Sequence, residues 1–398
     1  MLNTPTDALT AEALLEHVRV LASGIGPRPA GSLDEAAARH YIRGILGAAG
    51  FADDEIEELR FAAPDTWGYA LAIPALLALG GNVIGLFGRS GKLAGGAASL
   101  TSAYSLLKAA AVDRSPLAEL APQHDTANLI VRIAPTGEVR RRVVLLAHTD
   151  TNKHRLTHSP GVKHLMLASM TAAILAALIN GIAQLVQFTG FKWGMVQLQR
   201  LSFWGLLAGL LVVLLDEQGE YITGANDNAS AVACVLGLGT HLRANPLQHT
   251  EVWLVFTGAE EVGGVGAHVL LDAYGHDLAN AWFLDFEMVG TKRISYVTEH
   301  TGFSYFSAYM PDADSVQLAS KVAITHPALN VTGRAMVIGE EVGSLRARGY
   351  RGLCLAGVGA DGWLANWHQR TDTYANIEPS GLETAARFAL AMLERLDG

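Results

Sequence analysis

The sequence predicts an α/β fold that carries two hydrophobic helical insertions. Four short apolar segments, rich in β-branched or aromatic residues, predict strands that are buried on both faces: VVLLA, VWLVF, AWFL and GLCLAG. Segments with helical periodicity alternate with these strands, which is typical of a largely parallel sheet. Long uncharged stretches interrupt the pattern twice. A chain of 398 residues is long enough to bury a large core around such a sheet.

Composition excludes one class of partner and gives no sign of export. Hydrophobic residues make up 50% of the chain and charged residues 17%, and the net charge is −9, so no electrostatic footprint for nucleic acid is expected. The first residues lack a basic segment followed by an apolar one, so we expect no signal peptide. Cys234 and Cys354 both lie in apolar segments and are expected to be small buried hydrophobes.

The N-terminal part is expected to form two helices and two paired strands. Helical periodicity covers 9–23 and 33–49, and the two segments are joined by a Gly/Pro-rich turn that contains GPRPAGS. EIEELRF (55–61) predicts an exposed first strand, and ANLIVRI (127–133) predicts the strand that pairs with it. PTGEVR then predicts a hairpin turn into VVLLAHTD.

The C-terminal part predicts regular alternation. A helix over 228–243 is followed by a strand, a glycine-rich loop, a second helix and a second strand. Further helices are predicted around 314–325 and 379–396, with the GLCLAG strand between them. We therefore expect one catalytic domain built from 1–61, 125–151 and 223–398.

The two insertions are expected at 62–124 and 152–222, the second as a helical hairpin. The first contains 69–88, twenty residues without a charge, and the second contains 165–187 and 201–215. The 23 residues of 165–187 are long enough to cross a membrane as a helix, whereas 201–215 is marginal. A soluble helical lid or a dimer interface is the alternative to a membrane role.

Geometry restricts the membrane hypothesis. Because the strands on both sides of each insertion belong to one sheet, each insertion must cross a bilayer an even number of times. The hairpin of 165–187 and about 199–215 satisfies this condition. The stretch 69–88 has one candidate partner, 94–111, which is weakly apolar and carries Lys108, so a re-entrant or interfacial first insertion stays open.

Aromatic and basic residues flank the apolar stretches. The aromatic residues resemble an interfacial belt: Trp67, Tyr69, Phe191, Trp193 and Trp204. The distal turns carry basic residues without acids, which favours a cytoplasmic location for these turns: Arg89, Lys92, Lys192 and Arg200. Since nothing at the N-terminus would export the first 68 residues, we instead expect a membrane protein with a cytoplasmic catalytic domain.

Polar residues follow the predicted strands at five positions: His148, Asp227, the pair Glu260-Glu261, Glu287 and His368. In parallel sheets, ligands bind beyond the carboxyl ends of the strands, where these side chains would project. Imidazoles gathered with carboxylates suit a divalent transition metal, and zinc first.

Each motif alone has a structural alternative. A histidine at a strand end is often structural, and ANDNAS often forms a turn that caps a helix. Asp150 adds weight to His148, because a carboxylate two residues on can accept the other ring N–H. The pair Glu260-Glu261 ends a buried strand before a glycine-rich loop, which disfavours a solvated helix face.

The motifs together resemble the M28 family of zinc aminopeptidases and carboxypeptidases. The shared order is H-x-D, N-D-N, E-E, D-F-E-M-V-G and W-H-x-x-x-D-T, and the resemblance covers 1–61 and 125–398. It implies a three-layer α/β/α sandwich of the phosphorylase/hydrolase-like zinc-peptidase type, around a mixed sheet with two zinc ions.

The resemblance also implies a role for each matched residue. One zinc ion would be held by His148 and Glu287, the other by Glu261 and His368, and Asp227 would bridge both. Two neighbouring metals need such a shared carboxylate and separate terminal ligands.

Two further residues complete the implied site. Glu260 would be the general base, accepting a proton from water and passing it to the leaving amine. Asp150 would orient His148 without binding metal.

The sequence departs from the family pattern at two points. The family usually has Asp where Glu287 stands, and Asp285, two residues earlier on the same side of the strand, competes for the ligand role. The related M20 family tolerates Glu there but inserts a lid domain, for which the 81 positions between Glu287 and His368 leave little room. The second departure is the gap of 79 positions between His148 and Asp227, which places the second insertion beside the metals.

The leading functional hypothesis is a membrane-associated di-zinc exopeptidase that acts as an aminopeptidase on peptide or amide substrates. An amidohydrolase of lipid-like N-acyl amino acids is the first alternative, since an apolar hairpin beside the metals can deliver such a substrate. A non-catalytic membrane scaffold of the same fold is the second. The choice between amino- and carboxypeptidase, the side-chain preference and the oligomeric state stay open.

Overall fold

An eight-stranded mixed sheet lies at the centre of the molecule in a computed structural model that describes residues 7–398. The strands in chain order are β1 (Ile56–Ala63), β2 (His124–Ile133), β3 (Arg141–His148), β4 (Thr250–Thr257), β5 (Trp282–Glu287), β6 (Ile294–His300), β7 (Thr332–Met336) and β8 (Leu353–Gly357). Their spatial order is β1-β2-β4-β3-β5-β8-β6-β7.

Four neighbouring strands run in the same direction. β3 is parallel to β4 and β5, and β5 is parallel to β8, so these four carboxyl ends meet at one edge of the sheet. The predicted pairing of the first two strands is confirmed: β1 is antiparallel to β2, with Ile56 opposite Val131. The parallel centre of the sheet is the part that positions the site.

Helices cover both faces of the sheet. The seven helices outside the predicted insertions are α1 (Ala11–Arg19), α2 (Leu33–Ala48), α7 (Ser230–Ala244), α8 (Val265–Tyr274), α9 (Ala313–Thr325), α10 (Glu341–Ala347) and α11 (Pro379–Asp397). Val143 and Leu145 of β3 pack into the core beneath α1, α2, α7, α9 and α11. Val144 and Leu146 pack into the opposite core with α8 and α10. The predicted three-layer α/β/α fold is confirmed.

The first helix is shorter than its periodicity predicted. The α-helical part ends at Arg19 and continues as a π-helical turn over Val20–Ile25, which lies next to the GPRPAGS segment. Ser32 accepts the backbone N–H of Glu35 and caps the second helix. The turn between the helices places Arg28 in the interior of the protein.

Four long helices occupy the insertions: α3 (Gly68–Ile84), α4 (Gly88–Ala110), α5 (Met166–Phe188) and α6 (Met195–Asp216). They form one bundle, in which α3 packs on α4, α4 on α5, α5 on α6 and α6 on α3. Gly96 of α4 faces α5 so closely that an added Cβ would lie 2.8 Å from the side chain of Leu185. Small residues therefore set the helix spacing, as in membrane bundles.

The outer surface of this bundle is apolar. Two helical segments, Lys163–Phe188 and Met195–Asp216, are long and apolar enough to cross a membrane, and only 39% and 22% of their apolar windows are buried in the protein. The apolar helix α3, with 17 residues, is shorter. Most of the large exposed apolar side chains among residues 7–398 belong to the two insertions. Such a surface is uncommon on a soluble monomer.

The predicted aromatic belt is divided between two environments. Trp193 and Trp204 are 82% and 65% exposed at the far end of the bundle, as an interfacial residue would be. Trp67 instead packs against Phe303, with ring centroids 5.1 Å apart, and lines the cavity above the sheet edge. Trp67 thus lies at the start of α3, over the catalytic face.

Candidate metal centre

The predicted site residues meet at the carboxyl edge of the parallel strands. His148 ends β3 and Glu287 ends β5, while Glu260 and Glu261 follow β4 in the loop that leads to α8. Asp227 lies in the irregular segment Ala225–Ala229 that enters α7. His368 lies in the loop after β8, with a positive φ of 49°.

Asp227 lies between two sets of side chains. Its Oδ1 is 3.3 Å from Nε2 of His148, which is in turn 3.6 Å from Oε2 of Glu287. Its Oδ2 is 3.3 Å from Nε2 of His368, which is 3.1 Å from Oε2 of Glu261. Each oxygen of one carboxylate thus faces a different imidazole and a different glutamate.

Buried atoms at the centre of the cluster fit a metal. Nε2 of His148 and both carboxylate oxygens of Asp227 are buried and have no hydrogen-bond partner within the described part of the chain. One ligand atom each from His148, Asp227 and Glu261 falls within a span of 4.8 Å. Imidazole nitrogens and carboxylate oxygens are both ligands that zinc binds in proteins. The residues present therefore fit a bound zinc ion.

The site holds several carboxyl groups although it is buried. Burial raises the pKa of Glu287 to about 8, against the opposing effect of His148. Burial also raises the pKa of Glu260 well above its ordinary value. Burial alone would lower the pKa of His148, but the carboxylates of Asp150 and Asp227 outweigh it and raise that pKa well above its ordinary value. A divalent cation would relieve this crowding of carboxylates.

Asp150 contacts the ring of His148 and the loop after β4. Nδ1 of His148 lies 3.1 Å from the backbone carbonyl oxygen of Asp150 and 3.5 Å from its Oδ1. The two carboxylate oxygens of Asp150 also accept the backbone N–H groups of Glu260 and Glu261, at 3.0 and 3.1 Å. Asp150 thus contacts the imidazole of His148 and, through its carboxylate, the backbone of both glutamates.

Glu287 reaches the cluster, whereas Asp285 points elsewhere. Glu287 lines the cavity, and its Oε2 accepts a hydrogen bond from Nδ2 of Asn228 at 3.0 Å. Asp285 lies deeper along β5, where it forms a separate buried group with Glu340 and Cys354. Residues two apart share a strand side but differ in height, and that difference separates the two carboxylates.

Two buried residues outside the predicted set hold the loops in place. Asp372 accepts the backbone N–H groups of Asn226 and Asp227 at 2.6 and 3.1 Å. The guanidinium of Arg28 donates to five carbonyl oxygens, among them those of Thr149 and Gly224. The signal for both was present in W-H-x-x-x-D-T and GPRPAGS, but neither motif shows the direction of a side chain.

The second insertion contributes side chains that the sequence analysis missed. Nδ2 of Asn152 donates to Oε2 of Glu261 at 2.7 Å. The ring of His158 lies 4.4 Å from that of His368 and 4.7 Å from that of Trp367.

A second glutamate pair, Glu340-Glu341, is also buried behind the site. Two adjacent glutamates in the sequence are the signal that could have indicated this pair.

A cavity of about 470 Å³, with the space at its mouth included, opens onto the cluster. Predicted site residues form most of its polar lining, and Trp67, Phe303 and Trp367 form an aromatic part of its wall. A pocket with few convergent polar groups and apolar walls is the usual form of a small-molecule site. The arrangement can hold an amide between the acidic cluster and an aromatic wall.

Fold and site together define the class of protein, a zinc-metallopeptidase-like hydrolase. The model of peptidase family M28 matches residues 212–393. The matched range contains Asp227, Glu260, Glu261, Glu287 and His368. The resemblance seen in the sequence is confirmed, and it implies zinc as the metal. No curated protein sequence matches the chain.

Solved structures with the same fold cover nearly the whole chain. A glutaminyl cyclase from an Acidobacteriales bacterium has 17% identity and a TM-score of 0.56, covering 100% of this chain and 97% of its own. A leucine aminopeptidase precursor from Bacteroides thetaiotaomicron has 14% identity and a TM-score of 0.55, covering 99% of both chains. A zinc aminopeptidase from Bacillus subtilis has 12% identity and a TM-score of 0.56, covering 98% of this chain and 95% of its own. These similarities define the fold.

Proposed function

We propose that this protein is a membrane-associated di-zinc exopeptidase that acts as an aminopeptidase. The main observation behind the proposal is that the two carboxylate oxygens of Asp227 face two different imidazole–carboxylate sets. In the proposed site, His148 and Glu287 hold one zinc ion, Glu261 and His368 hold the other, and Asp227 bridges them. Bound zinc would polarise the scissile carbonyl and lower the pKa of a bound water.

Glu260 is the proposed general base. Its carboxylate lines the cavity, 3.8 Å from Nε2 of His148, and its backbone N–H is held by Asp150. From this position it can take a proton from water in the cavity and deliver it to the leaving nitrogen. Asp150 is proposed to orient His148, whose Nδ1 faces its carboxylate.

The membrane part of the proposal is supported by the apolar outer surface of the bundle. We propose that 62–124 and 152–222 form one membrane-embedded unit through 69–88, 165–187 and 201–215, and that 1–61, 125–151 and 223–398 form a cytoplasmic catalytic domain. The start of the second insertion lies beside the metal centre, since Asn152 contacts Glu261. Substrate would therefore be cleaved close to the membrane surface.

The test is hydrolysis by the detergent-purified protein with zinc. Peptides and chromogenic amides should release their N-terminal residue, a chelator should stop the release, and Glu260→Gln should lower kcat by roughly 10²–10⁴-fold. Glu138→Gln, a change at an exposed glutamate, is the matched control and should retain activity. Full activity of Glu260→Gln would refute the mechanism.

Two further measurements test for other functions of this fold. A peptide with N-terminal glutamine tests for cyclisation with ammonia release, because solved structures of this fold include glutaminyl cyclases. Metal analysis that finds no zinc, together with no turnover, would favour a non-catalytic scaffold.

A second candidate is an amidohydrolase of lipid-like N-acyl amino acids. A specific observation favours it: an apolar cavity between the insertion helices shares wall residues with the cavity over the metal centre. Comparison of N-acyl amino acids with free-amine peptides as substrates distinguishes this candidate from the aminopeptidase.

A further inference from the structure

A second cavity, of about 930 Å³ with the space at its mouth included, lies between the four insertion helices. Every helix of the bundle contributes apolar side chains to its wall: Leu71 from α3, Leu106 from α4, Met170 from α5, and Leu206 and Leu210 from α6. Its polar lining is concentrated at the end nearest the sheet, where Arg155, Thr157 and Asp216 lie. The shape and lining suit a hydrocarbon chain with a polar group at one end.

This apolar cavity adjoins the cavity over the metal centre. Trp67, His158 and Phe303 form part of the wall of both. At the other side, the exposed residues Ser169 and Val212 line the apolar cavity on the flank of α5 and α6. A chain can therefore enter from the outer surface of the bundle and place its polar end at the cluster.

His158 presents a hydrogen-bond acceptor where the two cavities meet. The hydroxyl of Thr157 donates to Oδ2 of Asp216 at 2.5 Å, so its oxygen accepts from Nδ1 of His158, 3.2 Å away. A neutral imidazole with its proton on Nδ1 leaves a lone pair on Nε2. That Nε2 is buried and has no hydrogen-bond partner in the described residues. A substrate N–H is the group that would satisfy it.

We infer that the substrate is an amide with a long hydrocarbon chain, that the chain occupies the apolar cavity, and that His158 accepts the N–H of the cleaved amide. The inference rests on the proposed hydrolysis of an amide at the metal centre, and between the two candidate functions it favours the amidohydrolase of N-acyl amino acids over the aminopeptidase. In the reaction, water adds across the C–N bond. The acyl carbon gains the hydroxyl group, the nitrogen gains the proton, and a fatty acid and an amino acid leave.

The cavity is tested with a series of N-acyl amino acids of increasing chain length. In the wild type, kcat/KM should rise about fourfold per methylene until the cavity is filled. Gly209→Leu fills the cavity, because Gly209 lies in its wall and an added Cβ meets no atom within 4 Å. This variant should lose at least about tenfold in kcat/KM for long chains and keep its rate on short ones.

Gly205→Leu is the matched control. Gly205 lies one turn earlier on α6, is exposed, and is not part of the cavity wall. Its variant should keep the chain-length dependence of the wild type. Equal loss in both variants would assign the effect to the helix rather than to the cavity and would overturn the inference.

The hydrogen bond is tested by two changes at His158. His158→Phe keeps a ring against Trp367 and His368 but removes the acceptor, and should lower kcat/KM by roughly 10–100-fold on long-chain amides. His158→Gln keeps an acceptor and should recover part of the loss, and the matching ester, which lacks the N–H, should be insensitive to either change. Equal losses on amide and ester would overturn the role of His158.

The outcomes separate this inference from the function on which it rests. If short peptide amides are cleaved but kcat/KM does not depend on chain length, the proposed hydrolase stands and the inference is overturned. If no amide of either kind is cleaved by the zinc-loaded protein, the proposed function fails and the inference fails with it.

Discussion

The carboxylate of Asp372 accepts the backbone N–H of Asp227, with 3.1 Å between nitrogen and oxygen. The other oxygen of Asp372 accepts the N–H of Asn226 at 2.6 Å. The residue proposed to bridge two metals is thus held from behind by a second aspartate that lines neither cavity. Both carboxylates are buried, so the position of Asp227 depends on this contact rather than on solvent.

Asp372→Asn should weaken the centre without removing a ligand. An asparagine has one acceptor oxygen for the two N–H groups, and loss of such supporting contacts typically costs roughly 10–100-fold in metal affinity or activity. Zinc titration and kcat/KM measure the effect. Asp361→Asn, at an exposed aspartate, is the control and should behave as the wild type. Unchanged zinc affinity in Asp372→Asn would contradict the supporting role.

Metal content should separate the two halves of the site. We expect two zinc ions per wild-type chain, one in His148→Ala and one in His368→Ala, because each imidazole faces a different oxygen of Asp227. Asp227→Ala should bind neither ion tightly, since both sets lose the shared carboxylate. Metal analysis after dialysis gives the counts. A single zinc ion in the wild type, abolished by His368→Ala and unaffected by His148→Ala, would contradict the two-metal proposal.

Arg28 should be essential for stability. It is fully buried, and burial lowers the pKa of its guanidinium to about 10, which leaves it charged near neutral pH. Arg28→Met leaves five carbonyl oxygens without this donor and should lower the free energy of unfolding by at least about 4 kcal/mol.

Denaturant unfolding of the detergent-solubilised protein measures this loss. Arg28→Lys should recover part of it, because an ammonium offers three donors in a different geometry. Arg19→Met, which removes an exposed ion pair with Glu16, should cost far less stability than Arg28→Met. A loss from Arg28→Met as small as that from Arg19→Met would contradict the prediction.

His268 should make the fold sensitive to mild acid. Burial lowers the pKa of this histidine to about 4, against the opposing effect of Asp113, and its Nε2 has no hydrogen-bond partner among residues 7–398. The unfolded chain binds a proton near pH 6.5 and the folded chain does not, so stability falls as the pH drops from 6.5 towards 4. Between pH 7 and 5 this group should cost about 2 kcal/mol.

The measurement compares the change in unfolding free energy between pH 7 and 5 in the wild type and in His268→Asn. Comparing each protein with itself removes the cost of the substitution. The variant should lose less stability on acidification than the wild type, by the stated amount. Identical losses would show that other groups account for the acid sensitivity.

The fold was predictable from local sequence because its signals are local. Continuous apolar runs indicate strands buried on both faces, and Ile56 pairs with Val131 as the two segments predicted. Polar residues after such runs indicate a site at the carboxyl edge, because parallel strands end together. The M28 resemblance supplied the roles of these residues.

Other features depended on side-chain direction and on contacts between distant segments. Trp67 was expected at a membrane boundary but lies over the catalytic face. Glu287 and Asp285 were indistinguishable by periodicity, and only their heights along β5 separate them. Arg28 and Asp372 belong to motifs that the sequence shows. Their hydrogen-bond partners, however, include backbone groups that are distant in sequence.

The sequence by itself determined the α/β class, the edge where chemistry-bearing residues gather, and the apolar character of both insertions, since these follow from the order and spacing of residue types. Only the tertiary structure decided that the two insertions form one bundle, that the bundle encloses a cavity, and that His158 lies at its junction with the metal centre. Packing between segments that are far apart in the chain creates cavities, and no local pattern records it.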